Sequence, residues 1–259
     1  MRRRDCLILA LAAPGLAAGA EIPGLGDAIN KAGRQRMLSQ RLAKSWLAQG
    51  LGVETALAAR TFTASLALFE RQLGELKAFA PQPRIGEVYA RLEAAWTGFK
   101  AVLTEQAPNV GKASAVLDSA GQVLKLAHEG TGLIESLTER PAGHWANVCG
   151  RQRMLSQRLA ALHLGASWGV EVAFAQAEIA KARAEFGAAQ AQLEAVPEAT
   201  AAIRDELRLA DSQWDFFDAA LRSLRPGQPD ATAMSHVFTT SERILEVMDG
   251  VTGQFAKLS

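Results

Sequence analysis

The sequence predicts an all-α protein built from two tandem antiparallel helical bundles of about four helices each. Helix-forming Ala, Leu, Glu, Gln and Arg dominate long stretches in which apolar residues recur every three or four positions. Clusters of Pro and Gly interrupt these stretches, and no run alternates β-branched residues as a strand would. One stretch, Gly33–Ala43, also returns letter for letter at Gly150–Ala160. The chain is therefore predicted to be a tandem duplication.

The duplication extends beyond the identical stretch. Asn30 and Asn147 keep the same shift of 117 residues, as do the Gly-Val-Glu tripeptides at 52–54 and 169–171. Looser matches relate Trp96 and Phe99 to Trp214 and Phe217 at an offset of 118, and Val123-Leu124 to Ile244-Leu245 at an offset of 121. The four aromatic residues are expected in the core. Because cores tolerate the exchange of one hydrophobic residue for another, two copies can keep the same bundle fold without identical polar residues. The verbatim stretch therefore indicates a local task that both copies share.

Pro and Gly clusters bound the predicted helices in both copies. In the first copy Ile22–Gly26 is a linker, and Asp27 is expected to be the N-cap of the first helix. The predicted helices cover residues 27–50, 54–79, 84–106 and 112–140, and then 145–167, 170–196, 198–224 and 230–258. Short connections between helices of this length imply antiparallel neighbours. Two four-helix bundles, or two units that share one helical stack, are both expected architectures.

Residues 1–20 have the order of a secretory signal peptide. Three Arg follow Met1, an apolar run extends from Cys6 to Ala18, and small residues precede Glu21. The Sec and twin-arginine routes both remain open, because Arg3-Arg4 loosely resembles a twin-arginine signal. No later stretch is long and apolar enough to span a bilayer. We therefore predict a periplasmic protein that is not membrane-embedded after cleavage, with its two units at residues 21–143 and 144–259.

Charge and cysteine content exclude several classes of function. The 259-residue chain has 28 Lys and Arg against 27 Asp and Glu, and removal of residues 1–20 leaves 25 against 26. Binding to nucleic acid or to a membrane surface needs a net basic footprint, so neither is predicted. After loss of Cys6, Cys149 would be the single cysteine, and it is predicted to be a small buried residue rather than half of an intrachain disulfide.

Catalytic and metal-binding patterns are not evident in the sequence. The residues His128, His144, His163 and His236 are scattered without the spacing of a metal or haem site. No paired carboxylates, Ser/His/Asp set or glycine-rich phosphate loop stands in a supporting context. The sequence therefore predicts no enzyme, no metal and no cofactor.

The repeated stretch places one arginine of each copy among small and apolar residues. At about 100° per residue, Arg36 shares a helix face with Gly33 and Gln40, whereas Arg34 and Arg41 lie roughly opposite. The equivalent residues of the second copy are Arg153, Gly150 and Gln157, with Arg151 and Arg158 opposite. Small residues let helices approach closely. We therefore expect Arg36 and Arg153 to meet at a seam between the two copies.

The positive charges of two arginines at such a seam repel each other and need a compensating negative charge. Guanidinium groups ~6 Å apart repel by roughly 3 kcal/mol at an effective dielectric of ~20, and neither can deprotonate. A planar oxyanion between Arg36 and Arg153 would reverse the sign through bidentate, charge-assisted hydrogen bonds, and Gln40 and Gln157 could add donors. The spacing leaves a second interpretation open, in which Arg36 and Arg153 pair with Glu or Asp of neighbouring helices and only fix the bundle.

The stretch Ala28–Leu42 reads Ala-Ile-Asn-Lys-Ala-Gly-Arg-Gln-Arg-Met-Leu-Ser-Gln-Arg-Leu. It resembles the signature of the N-terminal sensor domain of type IV pilus methyl-accepting chemotaxis transducers, the PilJ-type domain. It is also similar to the periplasmic P-box of nitrate/nitrite sensor histidine kinases. The resemblance covers about 15 residues in each copy, and the remainder matches only in helical character and length.

This resemblance implies a sensory function. The nitrate sensors are antiparallel four-helix bundles that bind nitrate at a homodimer seam through one P-box arginine from each subunit. The arginine before Met in that motif corresponds to Arg36 and Arg153, so one chain would build what the sensors build from two. Arg34 and Arg151 stand where the nitrate sensors carry a small polar residue, which leaves the identity of the anion open.

The leading hypothesis is a periplasmic sensory or binding protein that holds nitrate or nitrite between Arg36 and Arg153. The secondary ligand-binding residues are predicted to be Gln40, Gln157, Gly33, Gly150, Asn30 and Asn147. Receptors of these families continue into membrane and signalling modules, so a membrane-bound receptor or a pilus or chemotaxis component is the expected partner. The alternative is a ligand-free helical module that docks such a component through Arg34, Arg41, Arg151 and Arg158.

Overall fold

Eight α-helices make up the part of the chain that the computed structural model describes, residues 22–223, 225 and 227–259. The predicted signal peptide at 1–20 lies outside these residues. The helices are α1 Leu25–Gly50, α2 Thr55–Phe79, α3 Pro83–Thr104, α4 Val110–Glu135, α5 Pro141–Ser167, α6 Val172–Glu194, α7 Ala201–Ser223 and α8 Ala231–Leu258. Among the described residues there is no strand, and one isolated bridge joins Arg225 to Gln228. The predicted all-α class is confirmed, and the helix count is consistent with two four-helix units.

The helix ends lie close to the predicted positions. Both α3 and α5 begin with a proline, Pro83 and Pro141, which suits a first turn because an N–H at that position would have no helical partner. The prediction that Asp27 caps α1 is wrong, because the helix begins two residues earlier, at Leu25. Asp27 instead lies in the first turn, where its carboxylate pairs with Lys31 at 3.0 Å. A negative charge at this end also interacts favourably with the helix dipole.

The turn after α1 is repeated after α5. Gly52 and Gly169 have φ angles of 72° and 81°, in the left-handed region that glycine adopts without steric cost. Two residues later, Glu54 and Glu171 also have positive φ angles, of 45° and 44°. The repeated Gly-Val-Glu tripeptide therefore encodes the same sharp reversal between the first and second helix of each unit.

Two parallel helices, α1 and α5, organise the packing of the whole chain. Within the first unit α1 packs on α2 and α4, and α4 packs on α3; the second unit repeats this with α5, α6, α8 and α7. Equivalent residues Gly33 and Gly150 face each other where α1 and α5 cross, and Gly50 lies against Trp168 near their carboxyl ends. The two units therefore share one helical stack about an approximate twofold axis. No helix in the described part of the chain is long and apolar enough to cross a membrane.

Each unit has the same aromatic cluster in its core. In the first unit the ring of Trp96 stacks on Phe69 at 4.0 Å and meets Phe99 edge-on at 6.0 Å. The second unit repeats both distances with Phe186, Trp214 and Phe217. Such aromatic pairs contribute about 0.5–1.5 kcal/mol beyond the area that they bury. The predicted core role is confirmed for Trp96, Phe99 and Phe217, which are buried, whereas Trp214 is partly buried against the core.

Candidate anion site at the helix seam

The two repeated stretches meet where α1 touches α5. A Cβ atom added to Gly33 would lie 3.1 Å from Nη2 of Arg36 and 3.5 Å from Nη2 of Arg153. A Cβ atom added to Gly150 would lie 3.2 and 3.3 Å from the same two nitrogens. Both guanidinium groups therefore lie over the two glycines, and any larger residue at either position would fill the space between them.

Arg36 and Arg153 are completely buried and remain charged. Burial, together with the charges of Arg153 and Arg151, lowers the pKa of Arg36 to about 9. Burial also lowers the pKa of Arg153 to about 10, although Asp249 acts in the opposite direction. Both pKa values stay above neutral pH, so two cations are held in a water-poor seam. Buried charges of this kind are costly unless an opposite charge lies close to them.

Each arginine is bound by the asparagine of the other unit. Nη2 of Arg36 donates to the backbone oxygen of Asn147 at 3.2 Å and to its side-chain Oδ1 at 2.7 Å. Arg153 donates through Nη2 to the backbone oxygen of Asn30 at 3.2 Å and through Nη1 to Oδ1 at 2.9 Å. The Nε atoms of both arginines are buried and have no partner among the described residues. The structure thus brings the two arginines, two asparagines and two glycines of the predicted site together.

The surroundings of the two arginines differ beside their Nη1 atoms. Nη1 of Arg36 lies 3.3 Å from Nδ1 of His128 in α4, whereas Nη1 of Arg153 donates to the carboxylate of Asp249 in α8. Asp249 also accepts two bonds from Arg34, at 2.8 and 3.0 Å. Arg153 therefore has a carboxylate partner. Arg36 forms no salt bridge within the described part of the chain.

His128 does not compensate the charge of Arg36. Its Nδ1 faces a guanidinium donor and must act as an acceptor, and burial, Arg36 and Arg151 all lower the pKa of His128, so the ring is neutral at pH 7. The carboxylate of Glu135 supports the site indirectly, because it accepts from the side-chain nitrogen of Asn147. The side chain of Asn147 therefore links the guanidinium group of Arg36 to the carboxylate of Glu135.

The side-chain amide nitrogens of Gln40 and Gln157 form hydrogen bonds to neighbouring helices. Nε2 of Gln40 donates to the carbonyl of Ala120 in α4 at 3.1 Å, and Nε2 of Gln157 donates to the carbonyl of Ser241 in α8 at 2.8 Å. These equivalent bonds tie each motif helix to the last helix of its unit. A role for either amide nitrogen in ligand binding stays a prediction and would require it to leave this bond.

The four arginines predicted to form an interaction surface all have partners within the chain. The salt bridges are Arg34 with Asp249, Arg41 with Glu242, Arg151 with Glu185 and Arg158 with Glu178. The first two join α1 of the first unit to α8 of the second unit, and the other two join α5 to α6. A docking role for these side chains stays a prediction, and a partner would meet charges that are already paired.

Sequence reasoning missed Asp249, His128 and Glu135. A signal for the first two was present, because the offset of 121 that relates Val123-Leu124 to Ile244-Leu245 also relates His128 to Asp249. The carbonyls that accept from Gln40 and Gln157 keep the same offset. Glu135 left no such signal, since the second unit has no carboxylate at the equivalent position.

Cys149 lies beside the seam on α5. It is completely buried, as predicted for a small packing residue, and burial raises the pKa of its thiol. Within the described ranges, no group of three or more His, Cys, Asp or Glu side chains is placed to hold a metal ion. The chemistry of the site therefore rests on its guanidinium groups and the amides that orient them.

Residues 21–127 match the family described as "Type IV pili methyl-accepting chemotaxis transducer N-term", or PilJ. The first unit is therefore similar to a PilJ-type domain. This confirms the resemblance of the first copy to the PilJ-type domain, and the matched residues include α1 with Arg36, α2, α3 and most of α4. The family indicates a sensory role connected with chemotaxis or pili. No curated protein and no solved structure matches the chain. That the second unit is also PilJ-type stays a prediction.

Proposed function

We propose that the protein is a periplasmic sensory or binding protein that holds a small oxyanion, nitrate or nitrite, between Arg36 and Arg153. The observation that carries the proposal is the pair of completely buried guanidinium groups over Gly33 and Gly150, of which Arg36 has no carboxylate partner among the described residues. The PilJ-type domain supports the sensory part of the proposal, and the resemblance of the motif to the nitrate-sensor P-box supports the choice of anion.

The absence of side chains at Gly33 and Gly150 keeps the guanidinium groups of Arg36 and Arg153 close to both helix backbones. A planar oxyanion that bridges the two guanidinium groups would accept charge-assisted hydrogen bonds from both. The unpartnered Nε atoms of Arg36 and Arg153 are further buried donors. One bound negative charge would pair with Arg36 as the carboxylate of Asp249 pairs with Arg153. The charge balance therefore favours a monovalent oxyanion over sulfate or phosphate.

Occupancy would be reported through the contact between α1 and α5. The Arg36–Asn147 and Arg153–Asn30 bonds already cross this contact, and a bound anion would add attraction at the same level. A ligand shifts a conformational equilibrium only by its difference in affinity for the two states. Here the difference comes from repulsion between two cations, which an anion removes. A membrane-bound receptor or a pilus or chemotaxis component would then read the packing of the two helices.

A ligand-free interaction module is the alternative function. The salt bridge between Arg153 and Asp249 favours it, because a purely structural arginine would be paired in this way. Against it, Arg36 lacks such a pair, and the outward arginines that a docking partner would use are engaged within the chain. The two functions differ most clearly in their response to anions.

Thermal unfolding in the presence of nitrate, nitrite, sulfate, phosphate and chloride at fixed ionic strength tests the proposal. A ligand that binds only the folded state adds about 2.7 kcal/mol of stability at 100 times its dissociation constant. We expect nitrate or nitrite to raise the midpoint of unfolding selectively. A midpoint that moves equally with all five anions would contradict the proposal, because salt screening alone explains such a result.

Variants assign the response to the seam. Arg36→Gln and Arg153→Gln should each abolish the nitrate-dependent rise, because one fork of donors and one charge are lost. Arg158→Gln is the matched control, since Arg158 lies on the same helix as Arg153 but on the opposite face, where it pairs with Glu178. Its nitrate response should equal that of the unaltered protein. A response that survives in both glutamine variants would favour the docking module.

A further inference from the structure

A cavity of about 210 Å³ lies between α5 and α6, some three helical turns beyond Arg153. It is lined by His163, Ala166, Ser167, Gln176, Ile179 and Arg183. The exposed side chain of Gln176 marks the side that opens to solvent. The proposed anion function does not use this cavity.

The duplication explains why the cavity exists in the second unit. The shift of 117 residues holds through this region, because it also relates Phe69 to Phe186 in the two aromatic clusters. By this shift the equivalents of His163, Ile179 and Arg183 in the first unit are Trp46, Phe62 and Leu66. Trp46 is buried and is the largest of the three. The second unit therefore keeps the helix pair but not the bulk that fills the space between its helices.

The polar groups of the cavity are positioned to accept a hydrogen bond. Nδ1 of His163 lies 2.8 Å from the carbonyl of Leu159, which can only accept, so Nδ1 carries the proton and Nε2 is left as an acceptor. Burial, as the largest effect, lowers the pKa of His163 to about 4, which keeps the ring neutral at pH 7. Ser167 is almost completely buried, and its hydroxyl has no partner within the described part of the chain.

Size and charge define the class of ligand. A cavity of about 150 Å³ is large enough for benzene, so 210 Å³ suffices for a slightly larger ring system. At the position equivalent to His163, the first unit carries the buried indole of Trp46. Arg183 is the one permanently charged residue of the lining, and it pairs with Asp218 at 2.5 Å, so the cavity is not arranged for an anion.

We propose that this cavity binds a small uncharged aromatic molecule with an N–H or O–H group, of the size of indole or phenol, which donates a hydrogen bond to Nε2 of His163. The ring would pack on Ala166 and Ile179 in the place that Trp46 occupies in the first unit. The site is independent of the anion site, so either proposal can fail without the other.

Isothermal titration of the protein with indole, 1-methylindole, phenol and benzoate tests the proposal. We expect saturable binding of indole at one site per chain. Indole should bind about fivefold more tightly than 1-methylindole, because the methyl group removes one hydrogen bond. Phenol should bind more tightly than benzoate. Absence of saturable binding for both indole and phenol would overturn the proposal, and tighter binding of benzoate would overturn the assignment of an uncharged ligand.

Two variants locate the site. His163→Trp copies the first unit and fills the cavity, so it should abolish indole binding, whereas the exposed control His236→Trp should leave it unchanged. His163→Leu keeps most of the space but removes the acceptor, so indole should bind about fivefold more weakly and no better than 1-methylindole. This second variant decides the question if His163→Trp does not fold. Indole binding that is unaffected by both substitutions would overturn the proposal.

Discussion

The two halves of the seam hold the same arginine in matching bonds but balance its charge in different ways. Arg36 and Arg153 each reach across to the asparagine of the other unit, with backbone oxygens at the same distance of 3.2 Å. Beside Nη1, however, the first unit places the neutral ring of His128 and the second unit places the carboxylate of Asp249. Arg153 therefore has a carboxylate partner, which it shares with Arg34, and Arg36 has none among the described residues.

This difference teaches what a tandem duplication permits. In a symmetric homodimer every substitution appears on both sides of the seam, so a carboxylate that neutralised one arginine would neutralise both. In a single chain the two sides can change separately. Here the identical stretches of α1 and α5 retain the geometry of the arginines, while α4 and α8 have diverged, so that a neutral ring faces Arg36 and a carboxylate faces Arg153. The comparison of these two sides yields three predictions.

The largest effect is expected when the first unit is made like the second. In His128→Asp, a carboxylate would reach Arg36 as Asp249 reaches Arg153. A negative charge ~5 Å from a bound anion costs roughly 3 kcal/mol at an effective dielectric of ~20, so we expect affinity for nitrate to fall by about a hundredfold. Titration calorimetry with nitrate at pH 7 measures this change directly.

His128→Asn is the matched control, because asparagine has the shape of aspartate without its charge. We expect nitrate affinity within a few-fold of that of the unaltered protein. If the two substitutions weakened nitrate binding equally, shape rather than charge at position 128 would control the site. The contrast between His128 and Asp249 would then have no bearing on function.

An intermediate effect is expected when the carboxylate of the second unit is removed. Asp249→Asn leaves Arg153 buried and deprives Arg34 of its partner. Loss of one partner of a fully buried pair costs about 3–5 kcal/mol, but the side chain of Asp249 is 41% exposed, so we expect about 2 kcal/mol in anion-free urea unfolding. Nitrate should restore part of this loss, because two uncompensated arginines then face the seam.

Glu246→Gln provides the control for that measurement. Glu246 lies one turn from Asp249 on α8, is exposed and forms no salt bridge among the described residues. Its substitution should change the free energy of unfolding by less than about 0.5 kcal/mol. An equal loss in both variants would show that general surface charge, and not the pairing of Arg153, stabilises the second side of the seam.

How much of this could be predicted from the sequence depends on where the interacting groups lie. The helix ends follow local Pro and Gly signals, and the meeting of Arg36 with Arg153 follows from one repeated pattern, so both could be read from short stretches. The partners of the arginines come from other helices, which a helical wheel cannot show. Asp249 was also difficult to predict because longer loops in the second copy change the offset between equivalent residues from 117 in α1 to 121 in α4.

The smallest effect concerns the starts of these same two helices, α4 and α8. Asp230 caps α8, because its carboxylate accepts from the backbone N–H of Ala233 at 3.0 Å, whereas Asn109, at the equivalent position before α4, makes no such bond. Replacement of an effective N-cap by alanine costs about 1 kcal/mol. We expect Asp230→Ala to lose that amount in urea unfolding and Asn109→Ala to lose less than about 0.5 kcal/mol. Equal losses would mean that the two last helices, unlike the residues that face the arginines, have remained equivalent at their starts.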